Sequence, residues 1–472
     1  MKVAGPGEAP PLPLHPPDVP IASGIFRQND IRGLVDRDLT VEAARAIGHA
    51  YAGLMRRRGV SGEVAVGRDN RPSGTKLRDA LVAGLTECGI DVVDVGVVPT
   101  PLLYWSLFNL GVIGGIQITG SHNPAEYNGF KLCLGTESLH GHDIQELFSL
   151  IDSPAAATAG KVREIDVIDR YVADVASRIG KLSRPVELVY DCGNGAAALV
   201  APQLFRALGL NAVGLFTESD GTFPNHHPDP TVPENLEDLQ RAVGREGAEL
   251  GIAFDGDGDR IGMVDGHGRI IWGDHLLILY ARDVFARRGP GQPVIFDVKC
   301  SQALPDAIRK AGGVPVMWKT GHSLIKERMK ELQAPLAGEM SGHMFFADGY
   351  YGYDDALYGA ARLLKIVADA GRPVHDLLAD VPEFVSTPEI RVECGDDVKF
   401  ALVEKAVAHF RSRHDVIDVD GVRVLFGDGW GLIRASNTQP ILVTRFEARS
   451  EARLAEIRAE MEGWLRGQGV TV

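Results

Sequence analysis

The sequence predicts an α/β protein built as three domains of similar plan, followed by a C-terminal α+β domain. Two patterns carry this reading. The segments GEVAVGRDN (62 to 70), VELVYDCGNG (186 to 195) and PVIFDVKCS (293 to 301) each run apolar and β-branched into a charged residue and a turn. A helical pattern follows, as in RPSGTKLRDALVAGLTECG after the first, the signature of buried parallel strands with crossover helices. Starting at 62, 186 and 293, the three form a weak internal repeat. The tail departs from it. EIRVEC, a helical stretch through VKFALVEKAVAHFRSR, then GVRVLF, GLIRAS and ILVTRFEA, and finally EARLAEIRAEMEGWL, predict antiparallel strands flanked by helices.

A chain of 472 residues can bury several separate cores. The expected limits are a proline-rich arm over 1–21, α/β domains over 22–165, 166–270 and 271–382, and the α+β domain over 383–472. The first twenty residues hold seven prolines and no apolar core, so they read as an extended arm and not as a signal peptide. No apolar run approaches the ~20 residues needed to span a bilayer. The 49 basic and 63 acidic residues leave a net charge of -14 with no compensating basic block, which argues against nucleic acid or an anionic membrane as partner. An anionic ligand must then be held by a local cluster of positive groups. Cys88, Cys133, Cys192, Cys300 and Cys394 are odd in number and scattered, with no CxxC, so neither a disulfide framework nor a zinc site is expected, and a reducing cytoplasm fits. No heptad or apolar stripe reveals an oligomeric state.

The sharpest local signal is IAFDGDGDRIG, in which Asp255, Asp257 and Asp259 alternate with glycines after an apolar strand. Three carboxylates packed so closely repel one another unless a cation sits among them, and hard oxygen ligands suit Mg²⁺ or Ca²⁺. The calcium-loop template fails: its sixth position would be Arg260 and its twelfth Gly266, where glycine and glutamate are required. What remains is a compact loop with open coordination positions, as Mg²⁺ uses when a phosphate completes its shell. A surface acidic turn is the bland alternative, but a turn needs at most one or two aspartates.

Ser121 lies in ITGSHNPAEYNGFKL, where Asn123 and Pro124 break the G-x-S-x-G elbow of a hydrolase nucleophile. It could be a turn serine that caps the next segment. As a phosphoryl carrier it would need a cation and positive donors near it; the aspartate loop offers the first, and His122 and Lys131 are adjacent candidates for the second. GEMSGH (338 to 343) sets Glu339, Ser341 and His343 on alternating positions, suited to vicinal sugar hydroxyls, although a glycine-bounded turn explains it equally well. RASNTQP (434 to 440) packs Arg434, Ser436, Asn437 and Thr438 into one turn, either a nest for phosphate or a polar hairpin. Arg32 in the NDIRG turn and Lys299 at a strand end in DVKCS, where α/β ligand sites gather, add positive charge, and KTGHS adds His322, next to Thr320 and Gly321, after another strand; none of these decides a function alone.

Taken together, TGSHNP, DGDGDR, GEMSGH and R-x-S-N-T-x-P, in this order and one from each expected domain, resemble the α-D-phosphohexomutase superfamily, in its bacterial phosphomannomutase/phosphoglucomutase branch. The resemblance covers about residues 22–465. It implies mixed sheets in domains arranged around a central cleft, and a phosphoryl group carried on Ser121. It also implies Mg²⁺ held by Asp255, Asp257, Asp259 and a phosphoserine oxygen, with sugar hydroxyls at Glu339 and Ser341. Arg434, Ser436, Asn437 and Thr438 would bind the phosphate not being transferred, and Arg32, Lys131, Arg260, Lys299, His322 and His343 would line the cleft. Lys131 and His322 are the favoured proton carriers. The implied reaction interconverts hexose 1- and 6-phosphates of mannose or glucose, through a hexose 1,6-bisphosphate that turns end for end.

Two departures stand out. Asn29 replaces the tyrosine that often precedes the DIRG turn, and Gln439-Pro440 replaces the usual Glu-Pro. Both bear on substrate preference more than on phosphoryl transfer. A phosphoglucosamine mutase tends to carry glutamine at Met340 and glycine at Asn437, so the spellings here favour glucose and mannose. A non-catalytic sugar-phosphate binding protein and a phosphatase are the remaining rivals.

Overall fold

The structure is a computed structural model that describes residues 21–436 and 440–472. All but the last residue of the proline-rich arm lies outside it, as do Asn437, Thr438 and Gln439.

Four sheets follow one another along the chain. In the first, Gly114–Ile118, Val64–Arg68, Val92–Val97 and Val162–Glu164 run parallel, while Tyr127–Leu134 returns antiparallel and pairs with Ile31–Leu34. The second sets Leu250–Phe254, Leu188–Asp191 and Val213–Leu215 parallel, with Ile261–Asp265 returning antiparallel. The third repeats this with Val314–Trp318, Pro293–Asp297 and Leu336–Gly338, and Met344–Phe346 as the return strand. The three segments that predicted parallel strands are Val64–Arg68, Leu188–Asp191 and Pro293–Asp297. Both Gly114–Ile118 and Leu250–Phe254 are buried at every position, as strands covered by helices on both faces must be.

The fourth sheet is antiparallel throughout, with Ile441–Ala448 at its centre between Gly429–Ala435 and the short strands Val385–Ser386 and Ile390–Glu393. The sequence reading missed Val385–Ser386 and Asp415–Ile417, which are too short to show a period of two. Helix starts follow their capping chemistry. Thr40 accepts from Ala43 N at the head of Val41–Arg57, Asp355 from Tyr358 N at Ala356–Ala370, and Ser450 from Arg453 N at Glu451–Gly467.

The first three domains share one continuous apolar core: Leu102 and Trp105, Tyr171 and Val175, and Leu277 and Leu364 belong to the same cluster. Truncating such a buried leucine to alanine costs about 2–5 kcal/mol. The fourth domain has its own core around Phe410, Ile433, Phe446 and Ile457. It meets the third through a small patch of Val298, Trp430 and Leu432. There the buried Arg423 donates to the carbonyls of Val298 and Cys300, both at 2.7 Å, with its guanidinium 3.6 Å from the centre of the Trp430 ring. No helix of the described residues is long and apolar enough to cross a membrane.

This plan explains where the motifs fall. In each of the first three domains a parallel strand turns back antiparallel, and the turn is a motif: 119–126 with Ser121, 255–260 with the aspartates, and 339–343 with GEMSGH. Arg434 and Ser436 sit at the corresponding hairpin of the fourth, where Ala435 pairs with Leu442.

Candidate active site

The serine turn and the aspartate loop touch. A Cβ on Gly256 would lie 2.5 Å from the carbonyl oxygen of Ser121, so only glycine permits this approach. Thr119 Oγ1 lies 3.1 Å from Asp257 Oδ2, and Thr100 Oγ1 donates to the same oxygen at 2.5 Å. Ser121 is buried and adopts φ 51°, the left-handed region that favours glycine. Its amide donates to Thr119 Oγ1 at 2.8 Å, and its Oγ lies 3.2 Å from His122 Nδ1. Burial, aided by Arg260 and Arg32, holds the His122 imidazole well below its usual pKa.

Lys131 rises from the return strand into the aspartates, donating to Asp257 Oδ2 at 2.9 Å and to Asp259 Oδ2. Burial would discharge it, but Asp257 and Asp259 outweigh burial and raise its pKa. The same lysine, with His343, holds Asp259 well below the carboxylate range against burial, whereas burial and the charges of Asp259 and Asp257 push Asp255 well above it. Asp255 Oδ2 and Asp257 Oδ1 are buried and have no hydrogen-bond partner among the described residues. Ligand atoms of Asp255, Asp257 and Asp259 lie within 4.8 Å of one another. Three buried carboxylates facing one lysine, with oxygens left over, fit a hard divalent cation.

The aspartate loop is stitched to GEMSGH. Ile261 N donates to Gly342 O at 3.0 Å, and His343 places Nε2 3.2 Å from Asp259 Oδ1 and Nδ1 2.7 Å from Glu339 Oε2. Burial and Arg260 oppose protonation of His343, yet Asp259 and Glu339 raise its pKa to about 9. Arg260 Nε points at the same ring, 3.3 Å from Nε2. Glu339 Oε1 accepts from Gly321 N at 2.7 Å, so each of its oxygens keeps one lone pair for a ligand hydroxyl. Ser341 Oγ lies 3.3 Å from His343 Nδ1. His322 opens the helix His322–Leu332 and is buried; burial, with Lys326 and Lys131, lowers its pKa well below the usual value. Its Nδ1 lies 3.9 Å from Asp354 Oδ2. Arg32 donates to Gly120 O at 3.3 Å beside its partner Asp30.

Lys299, Thr320 and Arg434 form a second group at the boundary of the third and fourth domains. Lys299 Nζ donates to Glu389 Oε1 at 2.6 Å. Thr320 donates through its amide to Asp420 Oδ2 at 3.0 Å and through Oγ1 to Asp297 Oδ2 at 3.1 Å. Arg434 Nε donates to the same oxygen of Asp420 at 3.0 Å. Ser436 is buried at the end of its strand; the predicted partners Asn437 and Thr438 lie outside the described residues.

Against known families, residues 23–155, 169–268, 272–384 and 389–463 match, in order, the alpha/beta/alpha domains I, II and III and the C-terminal domain of phosphoglucomutase/phosphomannomutase. The chain belongs to this family. It is 47% identical, over 94% of its length and 96% of the relative's, to the phosphomannomutase/phosphoglucomutase of Pseudomonas aeruginosa. A phosphoglucomutase of Neisseria gonorrhoeae is 45% identical over 93% of this chain and 96% of its own. Among solved structures, a phosphoglucomutase/phosphomannomutase family protein from Burkholderia thailandensis superposes with a TM-score of 0.88 at 45% identity, covering 95% of this chain and 98% of that one.

Several members of the phosphoglucomutase/phosphomannomutase site here escaped the sequence reading. Thr100 and Thr119 flank Asp257, while in the second group Asp420 holds Arg434, Glu389 holds Lys299, and Asp297 accepts from Thr320. Thr119 and Asp297 had a usable signal, since both stand at the end of an apolar strand next to a motif. Asp420 and Glu389 had none.

Proposed function

We propose that this enzyme is a phosphohexomutase that interconverts the 1- and 6-phosphates of glucose and mannose, with Ser121 as phosphoryl carrier and a hexose 1,6-bisphosphate as intermediate. The observation that carries this is the contact of the Ser121 turn with the buried aspartate loop at Gly256, where oxygens are left for a cation. Asp255, Asp257 and Asp259, with an oxygen of phosphorylated Ser121, would hold Mg²⁺. When bound, the ion offsets charge on the transferring phosphoryl group.

The chain's own residues do the rest. A sugar hydroxyl forms its bond to phosphorus as the Ser121 Oγ–P bond breaks. His322, held neutral, takes the hydroxyl proton; Lys131, held charged, donates to the departing Oγ. Arg32, Arg260 and His122 face the transferring group, and Glu339, Ser341 and His343 take sugar hydroxyls. Arg434 and Ser436, with Asn437 and Thr438, bind whichever phosphate is remote, assisted by Lys299 and the Thr320–Gly321 turn. After the bisphosphate turns over, the steps reverse and Ser121 is phosphorylated again.

The domain limits at about residues 165, 270 and 382 belong to the same reading, supported by sheets that end at Glu164, Ile271 and Phe346 and resume beyond those limits. A cytoplasmic setting is part of it too, supported by five buried cysteines with no disulfide. A coupled assay of glucose, mannose and glucosamine 1-phosphates, with and without Mg²⁺, tests the reading. Turnover of the first two that needs Mg²⁺ is expected. Faster turnover of the glucosamine compound would make the enzyme a phosphoglucosamine mutase, and phosphate release outrunning isomerisation would make it a phosphatase.

A further inference from the structure

Beneath the serine turn lies Arg71, whose side chain is wholly buried. All five of its N–H groups are engaged. Nε donates to Asp69 Oδ2 at 3.1 Å, one terminal nitrogen to the carbonyls of Pro124 (2.5 Å) and Tyr127 (3.0 Å), and the other to those of Ser121 (2.7 Å) and Asn123 (2.6 Å). Asp69 completes the grip by accepting from Gly120 N at 3.1 Å and from Thr119 Oγ1 at 2.8 Å. Gly120 has no room for a side chain, because a Cβ there would lie 2.4 Å from Arg71 Cζ. A guanidinium with no donor left cannot bind phosphate, so any effect on the reaction must pass through the turn it holds.

The second domain closes over this arginine. The Phe223 ring centre is 5.1 Å from the guanidinium carbon, and Phe223 itself adopts φ 53°. A Cβ on Gly221 would meet Arg71 Cα at 2.5 Å. Asn70 Nδ2, next along the chain, donates to Asn194 O at 2.6 Å and to Ser219 Oγ at 2.9 Å. The domain that supplies the aspartates thus also fixes the residue that shapes the serine turn.

We infer that Arg71 is a positioning residue for phosphoryl transfer: it holds Ser121 in its left-handed backbone conformation, and the 219–223 loop of the second domain holds Arg71, so that carrier and aspartates keep register. Lysine cannot substitute, since three donors from one point cannot reach five acceptors spread over a turn.

The inference rests on Ser121 being the phosphoryl carrier. The test uses full-length Arg71→Lys and Phe223→Leu and follows two readouts: the rate at which glucose 1,6-bisphosphate phosphorylates Ser121, by quenched intact mass, and kcat and KM for glucose 1-phosphate. In Arg71→Lys, phosphorylation and kcat are expected to fall together by about 100-fold, the cost of a carrier misplaced by about 1 Å, with KM within about twofold. Phe223→Leu, which leaves the five hydrogen bonds in place, should slow both by about threefold. Wild-type phosphorylation rates in Arg71→Lys, or a loss confined to KM, would overturn the inference while leaving the carrier reading intact. Should Arg71→Lys fail to fold, an unchanged rate in Phe223→Leu overturns it. A wild-type protein that takes up no phosphoryl group sinks the carrier reading itself, and this inference with it.

Discussion

The two junctions of the cleft are built on opposite principles. Where the first and second domains meet, acids outnumber bases: Asp69, Asp255, Asp257 and Asp259 are all buried against Arg71 and Lys131, and carboxylate oxygens are left unpartnered. Where the third and fourth meet, each cation is parked on a carboxylate, Lys299 on Glu389 and Arg434 on Asp420. The first junction lies within a core shared by three domains, whereas the second is a small patch around Trp430 beside a separate core. The difference teaches what each must do. In the function proposed above, the first would hold a cation among its unpartnered oxygens, and the second, its cations already paired, would exchange protein carboxylates for substrate phosphate.

Removing an acid from the first junction should have the largest effect. Asp257→Asn is expected to weaken Mg²⁺ binding, measured by calorimetry, by at least about 100-fold and to lower turnover in parallel, since a direct ligand should exceed the 10- to 100-fold typical of supporting residues. Unchanged Mg²⁺ affinity would break the comparison at its root. Lys131→Met comes next, with kcat expected to fall about 10²- to 10⁴-fold at saturating Mg²⁺, the range for a lost proton-transfer group. A change in KM alone would move Lys131 from proton carrier to substrate binding.

At the second junction the sign should reverse. Glu389→Gln removes the nearer of the two carboxylates paired with Lys299, leaving Asp297 at 3.7 Å, so binding of glucose 1-phosphate should tighten by about threefold with little change in kcat, because substrate phosphate then replaces the missing counter-charge. The smallest effect is on pH. Burial would raise the Glu389 carboxyl, but Lys299 overrides burial and brings it down to about 2. A depressed carboxylate stabilises the fold fully above about pH 5, and that stability is lost as pH falls through 4.5 toward 2. Thermal unfolding of Glu389→Gln should therefore start from a slightly lower temperature at neutral pH and decline less steeply over that acid window. An identical slope in both proteins would show that the ion pair contributes nothing to docking.

These contrasts also mark what the sequence could reveal. The first junction was legible because its chemistry is local. Three aspartates in five residues exceed what a surface turn needs, and Ser121 and Lys131 belong to one hairpin. The fold was legible for the same reason, as strands buried on both faces write themselves as continuous apolar runs. The second junction was not. Glu389 and Asp420 are single acids in polar stretches, and only the docking of the fourth domain brings them to Lys299 and Arg434. Arg71 was invisible in a different way: one arginine in a turn signals nothing until the fold gathers five acceptors around it.

The most direct test is the intact mass of the purified protein after exposure to glucose 1,6-bisphosphate, for the wild type and Ser121→Ala. The wild type should gain one phosphoryl group and pass it to glucose 1-phosphate, while Ser121→Ala gains none and loses mutase turnover. Full activity in Ser121→Ala, or a phosphoryl group mapped to another residue, would contradict the account.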